Sequence, residues 1–243
     1  MIVSCDPARF GSDETVIAVR RGNRVRIAAA YGKRDLMETA GRILRVARDE
    51  AVKGGERPVI VVDEIGIGGG LVDRLREVRE FNVDSFDAAG RARDAKEYPN
   101  MRSQSWFDFA DRLLDLDLDE DEQLAADLVA PSYKLDSAGR RVVEAKADTK
   151  KRLGRSPDRA DAVLMSFAPR ATAGSMRSYL PRGRVDFDPS KTTTFAQRVA
   201  RERYGREGAS TALTDALAAR GIHVHDGVSE LGGLLSRGRG GLE

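Results

Sequence analysis

The chain has 243 residues, with 41 Lys and Arg against 39 Asp and Glu, so a chain that is one-third charged carries a net charge of only +2. That balance excludes a general polyanion binder, while a hydrophobic content of 41% is enough for a buried core and too high for wholesale disorder. No apolar run reaches the ~18–20 residues of a membrane span, the N-terminus lacks a secretory profile, and the single cysteine, Cys5, excludes an internal disulfide framework or a multi-cysteine zinc site.

These exclusions predict a soluble intracellular protein with no membrane partner, in which Cys5 packs as a small hydrophobe on a strand. Ile2-Val3-Ser4-Cys5-Asp6 reads as a short strand that stops at Pro7. Residues 15–20 and 24–31 read as strands joined by a tight turn at Arg21-Gly22-Asn23. Residues 36–52 have helical periodicity, with Leu36, Ala40, Ile43, Leu44 and Ala47 on one face. Pro58-Val59-Ile60-Val61-Val62 is a continuous run of the kind found in strands buried on both faces, and it ends at Asp63. A glycine-rich turn then leads into a helix over 71–78, and 83–86 reads as a further strand.

Trp106, Phe109, Ala110 and Leu113 form the core stripe of the next helix, and 120–129 reads as another. Residues 133–135 and 141–145 flank Asp136-Ser137-Ala138-Gly139, which predicts a second hairpin. Ser156-Pro157 opens a last helix that runs through Ala168. This order predicts an α/β sheet with an antiparallel meander at one edge and parallel strands joined by crossovers. The folded domain is placed at 1–170. Residues 171–243 hold 11 of the 24 glycines and read as a weakly ordered Gly/Arg-rich tail, interrupted by short helical patterns over 194–203 and 210–220.

Acidic residues end two strands, at Asp6 and Asp63, and two more, Asp158 and Asp161, sit three apart in the first turn of the last helix. Each has a bland role available, as a turn former or a helix-terminal charge. If the first and fourth strands are neighbours, however, Asp6 and Asp63 leave the same sheet edge and Asp161 can meet them there. Two carboxylates ~4 Å apart repel by about 4 kcal/mol at an effective dielectric near 20, so such a cluster takes up protons or a divalent cation. Oxygen-only ligands select Mg²⁺ or Mn²⁺, and a pair of such ions suits phosphodiester hydrolysis. Asp13 and Glu14 are candidates for an outer ligand. Lys146, Lys150, Lys151, Arg152, Arg155 and Arg159 adjoin the last acids and are candidates for phosphate contacts with DNA. His223 and His225 in the tail form a pair with too few ligands to define a metal site.

Three motifs together are similar to the C-terminal nuclease domain of tailed-bacteriophage large terminase subunits, over roughly 1–168. They are Asp6-Pro7-Ala8 with Gly11-Ser12-Asp13-Glu14-Thr15-Val16, the stretch from Val61 through Asp63-Glu64-Ile65-Gly66-Ile67-Gly68-Gly69-Gly70 to Leu75, and Gly154-Arg155-Ser156-Pro157-Asp158-Arg159-Ala160-Asp161-Ala162. Asn100-Met101-Arg102 resembles the family's linking helix. The resemblance implies an RNase H-like fold: a mixed sheet, made of an antiparallel three-stranded meander plus parallel strands, flanked by helices. It also implies a Mg²⁺- or Mn²⁺-dependent endonuclease, with two ions per site, that cuts double-stranded concatemeric phage DNA during genome packaging.

By position, Asp6, Asp63 and Asp161 match the catalytic metal-binding acids, and Asp158 would be auxiliary. The implied setting is the host cytoplasm and, transiently, the procapsid portal, with a packaging ATPase, portal and small terminase as partners. No Gly-x-x-x-x-Gly-Lys-[Ser/Thr] motif occurs, so the motor is expected on a separate or excised segment, and the tail is a candidate for docking to portal or motor. Three alternatives stand beside this one. The first is another RNase H-like nuclease such as a Holliday junction resolvase. The second is a nucleotide-binding module built on Gly66-Ile67-Gly68-Gly69-Gly70, and the third is a non-catalytic packaging adaptor.

Overall fold

The structure is a computed structural model that describes residues 1–8 and 13–168. Gly11 and Ser12 of the first motif, the tail, its two helical patterns and the His223/His225 pair lie outside the described residues. Six strands form one mixed sheet in the order β5-β4-β1-β2-β3-β6. β1 (Ile2–Asp6), β2 (Thr15–Arg21) and β3 (Arg24–Tyr31) make the antiparallel meander, with Gly22 at φ +60° in the two-residue turn. β4 (Val59–Asp63) lies parallel to β1, and β5 (Asn82–Phe86) lies parallel to β4.

The meander is therefore inside the sheet rather than at its edge. A two-residue strand, β6 (Asp117–Leu118), pairs parallel with β3 and forms the outer border. It is too short to show an alternation, which is why its periodicity could not announce it.

Strand alternation divides the core in two. Val3, Cys5, Ile17, Val19, Ile60 and Val62 face α1 (Leu36–Gly54) and α2 (Gly68–Val78), which contribute Ile43, Ala47, Leu71 and Leu75. Ile2, Val16, Ala18 and Val61 face the other layer. There they meet α3 (Met101–Ala110), α4 (Glu122–Val129) and α6 (Asp158–Met165), with Trp106, Phe107, Phe109, Leu124, Val163 and Met165. Both faces of the sheet are covered, so β4 needs no polar alternation, and Cys5 packs in the α1/α2 core as expected.

The second hairpin, β7 (Tyr133–Leu135) with β8 (Arg141–Val143), stands apart as its own two-stranded sheet. α5 (Lys146–Leu153) was not expected from the sequence; its eight residues Lys-Ala-Asp-Thr-Lys-Lys-Arg-Leu bury only Thr149 and so show no apolar stripe. α6 is shorter than expected, turning at Ser166 and Phe167 rather than running to Ala168. None of the described helices is long and apolar enough to cross a membrane.

Candidate metal centre

Pairing of β1 with β4 puts Cys5 opposite Val62, so the next residues, Asp6 and Asp63, leave neighbouring parallel strands side by side, a strand spacing of about 4.8 Å apart. Alternation fixes their direction. Asp6 shares parity with Ile2 and Ser4, and Asp63 with Val61, all on the face covered by α6. Ser4 locks that helix against the strand by donating from Oγ to the carbonyl of Ala162 at 2.7 Å. α6 in turn carries Asp158 and Asp161 to the strand ends, both buried.

The loop after Asp63 is shaped for this placement. Asp63 Oδ1 accepts from the Ile65 backbone N–H at 3.0 Å, and Gly66 adopts φ +68°. Gly68 then opens α2 so close to the strand end that a Cβ there would lie 1.6 Å from the Asp63 carbonyl oxygen. The glycines thus serve the turn around Asp63. On the other strand, Thr15 clamps the chain after Asp6: its Oγ1 donates to the Ala8 carbonyl at 2.8 Å and accepts from the Ala8 N–H at 2.9 Å.

One ammonium stands at the convergence. Lys146 Nζ, at the start of α5, lies 2.7 Å from Asp6 Oδ2, 3.0 Å from Asp158 Oδ1 and 3.2 Å from Asp161 Oδ2. Arg102, in the first turn of α3, donates from Nη1 to Asp161 Oδ1 at 2.8 Å and from Nε to the Glu144 carbonyl. Burial drives the Asp6 carboxyl up to about 8; Lys146 works against that rise, and repulsion from Asp161 and Asp158 adds to it. Burial also raises Asp63. Asp161 is held below the usual carboxylate range: burial opposes ionisation, but Arg102 and Lys146 together overcome it. Lys146 is held well above the usual lysine range; burial works against its charge, and the surrounding carboxylates prevail.

The basic run is mostly committed. Lys150 pairs with Asp13, Arg152 with Glu144, Arg155 with Asp127, and Arg159 with Asp121 and Glu14. Asp13 borders a cavity of about 240 Å³ together with Asp6, Lys146 and Asp158, so it stands beside the cluster, with Lys150 on its carboxylate. Sequence reasoning placed Lys146 only among the DNA contacts and missed Arg102 as a partner of Asp161. The sequence signals for Arg102 are the resemblance of Asn100-Met101-Arg102 to the family's linking helix and its place two residues after Asn100, whose side chain caps α3 through Ser103 N, and neither points to Asp161.

A larger cavity, about 840 Å³, opens from the carboxylates and is walled by Phe86, Trp106, Tyr133, Val143 and Leu164. Among the described residues, no group of three or more His, Cys, Asp and Glu side chains is gathered tightly enough to hold a metal ion as it stands, and the position between the carboxylates is taken by Lys146 Nζ. The donor chemistry nevertheless fits a hard dication. Every candidate ligand is a carboxylate oxygen, and Asp161 Oδ2 is buried without a hydrogen bond even though the ammonium is in ion-pair reach.

A mixed sheet whose central strands deliver acids to one edge, opposite an acid-bearing helix, is the RNase H-like architecture. More specifically, the chain has the fold of the nuclease domains of phage large terminase subunits. The nuclease domain of the large terminase subunit gp2 of bacterial virus Sf6 is similar at 24% identity and TM-score 0.61, over 70% of this chain and 88% of that one. A mutant of that domain with manganese and beta-thujaplicinol, and a mutant with calcium, are both similar at 23% identity and TM-score 0.61 over the same shares. No family model matches the sequence, and no curated protein matches it.

Proposed function

We propose that the chain is a Mg²⁺- or Mn²⁺-dependent endonuclease that cuts double-stranded phage DNA during genome packaging. The observation that carries this reading is the convergence of Asp6, Asp158 and Asp161 on one cation position, with Asp63 leaving the neighbouring strand beside Asp6 and lining the same cavity as Asp6 and Asp161. Asp6, Asp63 and Asp161 would hold the dications and Asp158 would assist. When bound, they supply Lewis-acid polarisation of a phosphate and acidification of water.

The chain's own residues do the rest. Asp6 gives up its proton on loading, Lys146 yields its central place, and Arg102 keeps Asp161 ionised and oriented. Phosphate contacts fall first to Lys151, exposed on α5, and to Lys134, exposed beside the large cavity. Lys150 and Arg152 reach phosphate by exchanging a carboxylate for it, while Arg155 and Arg159 add positive charge beside them and keep theirs. The partners in this reading are a packaging ATPase, portal and small terminase, with residues 171–243 as a docking segment, and the setting is the host cytoplasm and the procapsid portal.

The test is plasmid nicking across Mg²⁺, Mn²⁺ and chelator, with wild type beside Asp63→Ala and a four-way junction as second substrate. Cleavage by wild type in Mn²⁺, lost in chelator and in Asp63→Ala with the thermal midpoint equal or higher, is the expected result. Retained cleavage by Asp63→Ala removes the assignment, and preference for the junction redirects it to a resolvase.

A further inference from the structure

Asp127 lies outside the carboxylate cluster, is fully buried on α4, and has no part in the chemistry above. Its partners are informative. Oδ1 receives Nη1 of Arg155, and Oδ2 accepts the backbone N–H of Arg159 at 3.1 Å. Arg159 is the second residue of α6, whose flanking Pro157 has no side-chain acceptor to offer the exposed N–H groups of the first turn. Asp127 therefore does from another helix what a capping Asp does locally, and it puts a negative charge at the positive end of α6.

The tie is reinforced on both sides. The Arg159 guanidinium binds both oxygens of Asp121, at 2.8 and 2.7 Å, and Asp121 itself caps α4 through Leu124 N. Arg159 also reaches Glu14, whose backbone N–H donates to Asp158 Oδ2 at 2.9 Å. α4 and α6 also belong to one apolar cluster, which holds Leu124, Leu128 and Val163, but apolar packing is non-directional and does not by itself fix the first turn of α6. The polar tie fixes that turn, where Asp158 and Asp161 project.

We infer that Asp127 is a positioning residue for the metal centre: as an inter-helix cap on α6 it sets where Asp158 and Asp161 present their carboxylates. The inference rests on the metal-centre reading above.

The experiment uses the full chain and three variants, Asp127→Asn, Asp127→Leu and Asp127→Ala. Asn keeps an oxygen for the Arg159 N–H, Leu keeps the volume without an acceptor, and Ala removes both. Mn²⁺ binding is measured by calorimetry at a temperature where circular dichroism shows each variant folded, alongside kcat and KM for plasmid nicking. The expected result is an Mn²⁺ dissociation constant raised about tenfold in Leu and Ala, with Asn close to wild type. The cleavage loss should fall in kcat and be partly recovered by excess Mn²⁺. A folded Leu or Ala variant that binds Mn²⁺ like wild type overturns the inference and leaves the nuclease reading standing, as does an Asn variant that loses as much as Leu. Wild type that neither binds Mn²⁺ nor cuts overturns both.

Discussion

Lys146 and Asp6 set the electrostatic character of the centre, and that character has a measurable sign. In the unfolded chain Asp6 ionises near 3.8, whereas in the fold it is pushed up to about 8, by burial first and then by Asp161 and Asp158. Between these values the unfolded chain releases a proton that the folded chain keeps, so Asp6 stabilises the metal-free fold at low pH and loses that contribution as pH rises towards 8. Asp63, raised by burial, and Asp127, pushed up to about 6 by the same cause, act in the same direction. Asp161, Glu50 and Glu144 are lowered, so their stabilisation is lost only at acid pH, below the window in question. The two histidines lie outside the described residues. The thermal midpoint in chelator is expected to fall by several degrees from pH 5 to pH 8, and Mg²⁺ is expected to restore it most strongly at the upper end, where it no longer competes with a proton. Lys146→Ala shifts the fall to higher pH, because the ammonium is what moderates the rise at Asp6. A flat or rising midpoint across that range contradicts the assignment.

At the scale of elements, what the sequence revealed follows from what each element buries. β1, β4 and α1 bury regular apolar sets, and their bounds were legible to within two residues. The acids at the ends of β1 and β4 stood out because an acid directly after a buried apolar run calls for a reason. α5 buries only Thr149, so nothing marked it as a helix, and without that helix the path of Lys146 into the carboxylates could not be foreseen. Arg102 was hidden similarly, since an arginine in a first helical turn is ordinarily a surface residue. Tertiary contact, not local pattern, gives both their roles. α2 supplies the sharpest test of the local geometry: Gly68→Ala sets a methyl against the Asp63 carbonyl at 1.6 Å, an approach that only displacement of the helix start can relieve. A loss of about 2–4 kcal/mol is expected, with the thermal midpoint falling by about 10 °C. Cleavage should fall further than the unfolded fraction explains, since Asp63 moves with the turn. Gly69→Ala is the control, because its nearest neighbour would be 3.8 Å away. Equal behaviour of the two variants would remove the steric account.

For the molecule as a whole, the question is whether the described fold stands alone. Both faces of the sheet are covered by helices that lie before residue 168, and among the described residues the buried members of the two cores run from Ile2 to Phe167. The last of these, Phe167, is itself anchored: it packs edge-on against Phe109, with Arg20 over its ring at 4.5 Å, while Arg20 Nε donates to the Ser166 carbonyl. That anchor is at the β2 end opposite Asp6, since Arg20 pairs with Ile2 whereas Asp6 pairs with Val16, so Ser166 and Phe167 lie on the side away from the carboxylates. A chain ending at residue 170 is therefore expected to melt within about 2 °C of the full chain, a difference of under about 1 kcal/mol for a domain of this size, and to keep its Mn²⁺-dependent nicking. A chain ending at residue 165 removes Ser166 and Phe167 and with them the ring contact, the cation over it and a hydrogen bond to Arg20, and its midpoint should fall well beyond that margin. Scanning calorimetry on the three lengths decides the matter. If the 170-residue chain melts as low as the 165-residue one, the 73 residues after 170 are part of the fold's stability and the domain boundary placed there is wrong.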